Sequence, residues 1–129
     1  MALVPTLTLT DSASFSDEVS FSVTDSLTVA APAQNTSLET VTTTGGNHII
    51  IPAATAVAYL FIRHTGTTDG STGTAQLLDV ENTDNEAFAR LGAGEWLFMP
   101  FCHAGASVGV QLQSASGNIQ VEYAFWTKG

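Results

Sequence analysis

Positive charge is nearly missing from this chain. Arg63, Arg90 and Lys128 face twelve carboxylates among 129 residues, for a net charge of −9. A phosphate backbone would be repelled rather than gathered, so no nucleic-acid partner is expected. Cysteine is as scarce: Cys102 stands alone, which excludes an internal disulfide framework and fits synthesis in a reducing cytoplasm. Its flanks, MPFCHAG, read as those of a small buried hydrophobe rather than a reactive thiol. Long apolar runs are also wanting. The two longest, at 56–62 and 96–101, are too short to cross a bilayer as helices. The opening MALVPTLTLT has neither the basic start nor the apolar core of a secretory signal. No membrane partner is expected, and no stretch carries a helical period.

What the chain does have is alternation. From Leu7 to Val29 every odd position is apolar or Asp, and the positions between are Thr, Ser or one Glu. That is a strand period, giving one apolar face and one hydroxyl face. Fully extended at about 3.3 Å per residue it would reach roughly 76 Å, far beyond an ordinary strand. A short unit recurs within it: LTDSASF, FSDEVSF and VTDSLTV, starting at Leu9, Phe15 and Val23. The starts are separated by even spacings, which keep the apolar face in register. Asp11, Asp17 and Asp25 are candidate bends, since Asp suits turns better than strands. Two readings stay open: three strands of a small meander, or an extended arm that docks on another protein. Pro32 and the small polar residues of AAPAQNTS, 30–37, mark the expected boundary, with an arm and linker over 1–37 and a body over 38–129.

The body reads as eight short strands with Gly-rich turns: SLETVTTT, HIIIP, AVAYLFIRH, TAQLLDVE, EAFARL, EWLFMPFC, ASVGVQLQ and IQVEYAFW. The expected fold is all-β, an eight-strand sandwich or jelly roll with an N-terminal β-type arm. In the last strand Ile119, Val121, Tyr123 and Phe125 share one face, with Gln120, Glu122 and Trp126 on the other. AVAYLFI and WLFMPF break the alternation, being apolar on both faces. A body this small has little surface to bury alone, so one face is expected to meet a neighbouring subunit in a homo-oligomer. The interface candidates are Leu9, Phe15, Val19, Phe21, Val23, Leu27 and Val29 in the arm, with Leu60, Ile62, Trp96, Phe98 and Trp126 in the body.

Motifs for chemistry are weak. GASVG at 105–109 matches a nucleophile elbow centred on Ser107, but that device needs a strand, a strained turn and a helix, whereas this stretch leads into the strand VGVQLQ. His48, His64 and His103 lack the spacing of a chelating pair. Asp79, Glu81, Asp84 and Glu86 cluster in DVENTDNE without the central Gly and final Glu of an EF-hand loop, so a solvated acidic turn is expected. Gly45-Gly46-Asn47 is a turn signal with no Lys and helix behind it. Asn35-Thr36-Ser37 is a glycosylation sequon by letter, relevant only to a secreted chain. No catalysis, cofactor or required metal is expected.

Three stretches, AYLFIRHTGTTDG, AFARLGAGEWLFMPF and SVGVQLQSASGNIQVEYAFW, together resemble the small β-sandwich proteins of tailed-bacteriophage virions, among them capsid decoration (cement) proteins and fibre or tail modules. The likeness rests on a strand closing on I-R-x-T-G, an L-x-A-G-E turn before an apolar strand, and a last strand ending in V-E-Y. Gly92, Gly94 and Glu95 resemble that family's hairpin turn. The resemblance implies a mechanical role: a homotrimer on the virion surface, made in the host cytoplasm and bound to the major capsid protein or another virion protein. A tail adaptor or fibre module is the alternative. A carbohydrate-binding sandwich using Trp96 or Trp126 as a stacking platform is a further one, although both tryptophans sit among apolar residues and are expected to be buried.

Overall fold

The computed structural model describes residues 2–10, 20–43, 48–53, 57–101 and 108–128. Within them the chain is all β. Eleven strands follow in order: β1 (Ala2–Leu3), β2 (Thr6–Thr10), β3 (Ser20–Thr24), β4 (Leu27–Val41), β5 (His48–Ile51), β6 (Tyr59–His64), β7 (Leu78–Asn82), β8 (Ala87–Leu91), β9 (Trp96–Pro100), β10 (Val110–Ser114) and β11 (Ile119–Lys128). One sheet runs β1-β4-β11-β6-β9 and a second runs β5-β10-β7-β8, while β2 and β3 pair only with each other.

The body is a rolled hairpin. β4 pairs with β11, β5 with β10, β6 with β9 and β7 with β8, all antiparallel, so each strand meets the one equally far from the β7–β8 turn. Rolling this ladder adds the β11·β6 and β10·β7 pairs and splits it into two facing four-stranded sheets. That connectivity is a jelly roll. The eight strands read in the sequence are these eight.

Period-two alternation decides what fills the gap between the sheets, except at Ile50 and Ile51, where the β5–β10 register shifts and both side chains are buried. Val41, Leu60, Ile62, Ile119, Val121, Tyr123 and Phe125 project from one sheet, and Ile50, Ile51, Leu78, Val80, Leu91, Val110 and Leu112 from the other, in a single cluster. Each such side chain contributes about 1.5–3 kcal/mol on burial. His64 closes this inner row and is wholly buried. Its Nδ1 accepts the Gly66 N–H at 2.9 Å, so the proton sits on Nε2, which donates to the Gln76 carbonyl at 3.0 Å. The ring thereby pins the 65–77 loop to β6.

Several expectations are corrected here. The linker expected over 30–37 is instead strand, because β4 runs through it along β11. Pro32 is tolerated because β4 is an edge strand there and the register shifts on either side of the Trp126↔Pro32 pair. Leu60 and Ile62, expected at an interface, lie in the inter-sheet core at 0% exposure. Val29, expected at an interface from the arm, is buried within the chain as well. The Gly92–Glu95 turn joins β8 of one sheet to β9 of the other, so it is a corner between sheets rather than a hairpin. Gly94 takes φ 83° there, and Glu95 Oε2 accepts the Gly92 N–H at 2.6 Å.

Candidate functional site

The alternation that buries Leu60 and Ile62 turns their neighbours outward. The ladder sets Glu122 beside Arg63 and Arg63 beside Trp96; Ala124 beside Phe61 and Phe61 beside Phe98; Trp126 beside Tyr59 and Tyr59 beside Pro100. Residues opposite each other in an antiparallel pair share a face. The outer face of the five-stranded sheet is therefore a grid of three rows, two dominated by aromatics and one carrying charge. Three of the rings are in contact. Tyr59 and Phe98 stack at 6.1 Å between centroids with 8° between planes, and Phe98 meets Trp126 edge-on at 6.4 Å. The doubly apolar runs AVAYLFI and WLFMPF are thus explained: one face fills the core and the other builds this surface.

The N-terminal segment crosses the same face. β1 is tied to β4 by the pairs Ala2↔Thr28 and Leu3↔Leu27. Leu3, Pro5, Thr6 and Leu7 then line a groove of about 260 Å³ with Phe61, Trp96, Phe98 and Trp126. A second apolar groove, about 250 Å³, lies between Pro5, Leu7, Val23, Asp25 and Phe98. The arm is folded back beside the aromatic grid rather than standing free as one long ribbon.

Its hairpin has two distinct faces. The β2–β3 register pairs Thr6 with Thr24, Leu7 with Val23, Thr8 with Ser22, Leu9 with Phe21 and Thr10 with Ser20. One face is hydroxyl, with Thr6 and Thr24 hydrogen-bonded at 3.0 Å and Thr8 and Ser22 at 3.2 Å. The other holds Leu7, Leu9 and Val23, which remain 37%, 43% and 53% exposed. Asp25 sits at the break before β4, as its turn propensity suggested; its N–H donates to the Pro5 carbonyl at 3.2 Å and its Oδ1 accepts the Ser26 N–H at 2.7 Å. Leu27 is half-buried. Phe15, Val19, Asp11 and Asp17 lie outside the described residues.

Trp96 is 52% exposed and Trp126 partly buried, so the expected burial of both tryptophans is corrected for Trp96. Arg63 Nη1 donates to Glu122 Oε2 at 3.3 Å in the charged row. This pair was not read from the sequence, because its members are 59 residues apart and only the β6–β11 register joins them.

The motifs considered for chemistry are dispersed. Arg90 donates through Nε and Nη2 to the two carboxylate oxygens of Asp79, at 2.5 and 3.0 Å, a contact that raises the guanidinium pKa above its ordinary value. Glu81 is buried and accepts from Gln111 at 3.2 Å, while Glu86 accepts from the Asn82 amide at 2.9 Å. Asn82 Oδ1 also accepts the Asp84 and Glu86 N–H groups, shaping the β7–β8 turn. Both nitrogens of His64 are engaged within the chain, and His48 pairs with Glu39. Among the described residues no three His, Cys, Asp or Glu side chains gather as a metal site. Cys102, His103, Ser107 and the Gly45-Gly46-Asn47 signal lie outside them. Gly109, the last residue of the elbow-like motif, has a packing role. A Cβ there would come within 2.1 Å of the Ile51 carbonyl oxygen, and its N–H donates to Thr83 Oγ1 at 2.9 Å. Asp69, in the exposed 65–77 loop, accepts the Thr72 and Ser71 N–H groups at 2.7 and 2.9 Å. Those bonds lower its pKa to about 2.

Comparison with protein-family models, with curated proteins and with solved structures finds no match to this chain.

Proposed function

We propose that this chain is a non-enzymatic structural protein of a tailed-phage virion, a capsid decoration (cement) protein. It binds the outside of a preformed head as a homotrimer and stabilises the head by apolar contact and strand pairing. The observation that carries the reading is the arm hairpin beside the aromatic grid. Apolar side chains of β2 and β3 stay substantially exposed on one face, next to rows of aromatics that one sandwich does not need for its own core. Contiguous exposed apolar surface of this kind marks a contact with another protein. The virion itself enters through the resemblance of the 49–126 stretch to phage β-sandwich proteins. The net charge of −9 suits an outer surface held away from packaged DNA. The partner is the major capsid protein, and β9 and the hairpin, which carry no further strand on their outer edges among the described residues, offer backbone groups for strand addition.

The test uses heads assembled without the protein. Incubated with the intact chain, they should retain it on sedimentation and tolerate a higher temperature before releasing DNA. The chain lacking residues 1–26 should stay in the supernatant. The cut belongs after Ser26, because removal of Leu27 to Val29 would take the start of β4 with it. Sedimentation with tails in place of heads would make the protein a tail adaptor or fibre module, and retention by neither would end the virion reading.

A further inference from the structure

The charged end of the grid is chemically unlike the rest. There Phe61, Arg63, Gly94 and Trp96 line an open cleft of about 410 Å³, which Trp96 and Phe61 also separate from the apolar groove under the arm. We propose that this cleft is a carbohydrate-binding site that takes a neutral pyranose. A sugar ring has one face rich in C–H groups and an equator of hydroxyls that both donate and accept. Binding it takes a flat exposed aromatic ring next to polar groups.

The cleft supplies each part. Trp96, on the edge strand β9, presents a half-exposed indole, and its N–H has no partner among the described residues. Arg63 stands directly across the ladder from Trp96, with Glu122 on its other side. Their single contact, at 3.3 Å, uses one of the five guanidinium donors and one carboxylate oxygen. The remaining N–H groups of Arg63, which lines the cleft, can bond to neighbouring hydroxyls in a fixed plane, and Glu122, just beyond it in the row, holds that plane in place. Gly94 forms the rim without a side chain, and even a Cβ there would meet nothing within 4 Å. Glu122 and the overall acidity disfavour an acidic sugar, and the Arg63 guanidinium lining the cleft disfavours a protonated amino sugar there, which leaves a neutral one. The proposal does not rest on the virion reading: Phe61 and Trp96 line both this cleft and the groove beside the arm, but Arg63 and Gly94 line the cleft and not that groove.

The experiment titrates the full-length protein with the methyl glycosides of glucose, galactose, mannose and N-acetylglucosamine, each to about 0.1 M so that weak sites fill, while NMR follows the indole and guanidinium N–H signals. At least one glycoside should shift the Trp96 indole and Arg63 Nε–H signals in a saturable way and leave the Trp126 indole in place. Trp96→Ala should weaken that binding by about tenfold or more, the scale of one lost aromatic stacking contact, with Trp96→Phe retaining part of it. Arg63→Ala should weaken it as well, and spectra of each variant report that the fold is kept. No shift at Trp96 with any of the four, unchanged affinity in Trp96→Ala, or tighter binding of glucuronate than of glucose would each overturn the proposal.

Discussion

The two outer faces of this sandwich are built from the same strand geometry and differ almost entirely in chemistry. Outside the four-stranded sheet the register brings together Gln113, Asp79 and Arg90 in one row and Ile49, Gln111 and Glu81 in another. There Arg90 pairs with Asp79 and the Gln111 amide with Glu81, and Ile49 is an exposed apolar exception. Outside the five-stranded sheet the corresponding rows hold Phe61, Phe98, Tyr59 and Trp126, with the arm hairpin alongside. A core needs one apolar face per sheet, and both sheets supply it. The arm covers part of the second apolar face, while Leu7, Leu9 and Val23 of the arm itself stay exposed beside it, and the proposed docking rests on that contrast between the two sides.

The strongest way to break the comparison is to move one residue along β6. Leu60→Ala removes an inner-face side chain and should cost about 2–5 kcal/mol of stability in denaturant unfolding. Gly109→Ala should follow at about 1–3 kcal/mol, because the added methyl collides with the backbone of Ile51. Lost function after that change would reflect folding rather than chemistry at Ser107, and Ser107→Ala should leave particle binding unaltered. On the outer face Phe98→Ser should cost about 1–3 kcal/mol, less than the loss of a core residue because the ring is only half-buried, yet sharply reduce retention by phage heads. Equal loss of stability from Phe98→Ser and Leu60→Ala would erase the distinction between core and surface on which the account depends.

The smallest expected effect is a pH response away from both faces. Asp69 has a folded-state pKa near 2 against an ordinary 3.8, so the ionised form is favoured by folding. Its contribution is complete above about pH 4 and is lost as the pH falls toward 2. NMR titration of its carboxyl carbon should give that low midpoint, and Asp69→Asn should flatten the acid limb of the melting profile slightly. A midpoint at the ordinary value would mean that the Thr72 and Ser71 amides do not hold the loop.

Alternation made much of the fold legible. Ile119, Val121, Tyr123 and Phe125 read as one face of a strand and are the buried face of β11. The eight body strands stood out in the same way because Gly-rich turns bound most of them. Other features depend on pairing, which periodicity does not encode. The runs AVAYLFI and WLFMPF are apolar on both faces, so nothing local distinguished the inner Leu60 and Ile62 from the outer Phe61 and Tyr59. Pro32 looked like a chain break, but an edge strand has no second neighbour to miss its N–H. The hairpin of β2 with β3 was present as alternation, while its partner strand was not, since a ribbon with one apolar face fits self-pairing and docking equally well. The Arg63–Glu122 pair and the exposure of Trp96 follow from register and sheet position alone.

The central claim is that the aromatic face and the arm dock, while the Asp79–Arg90 row of the other sheet faces away from the partner. An electron-microscopy map of the assembled particle tests it most directly. The account predicts density for this jelly roll on the outside of the head, with Phe98, Trp126 and the β2–β3 hairpin buried against capsid protein or a sister subunit and Asp79 and Arg90 turned outward. Density in which the Asp79–Arg90 face is buried and the aromatic rows stand in solvent would contradict it.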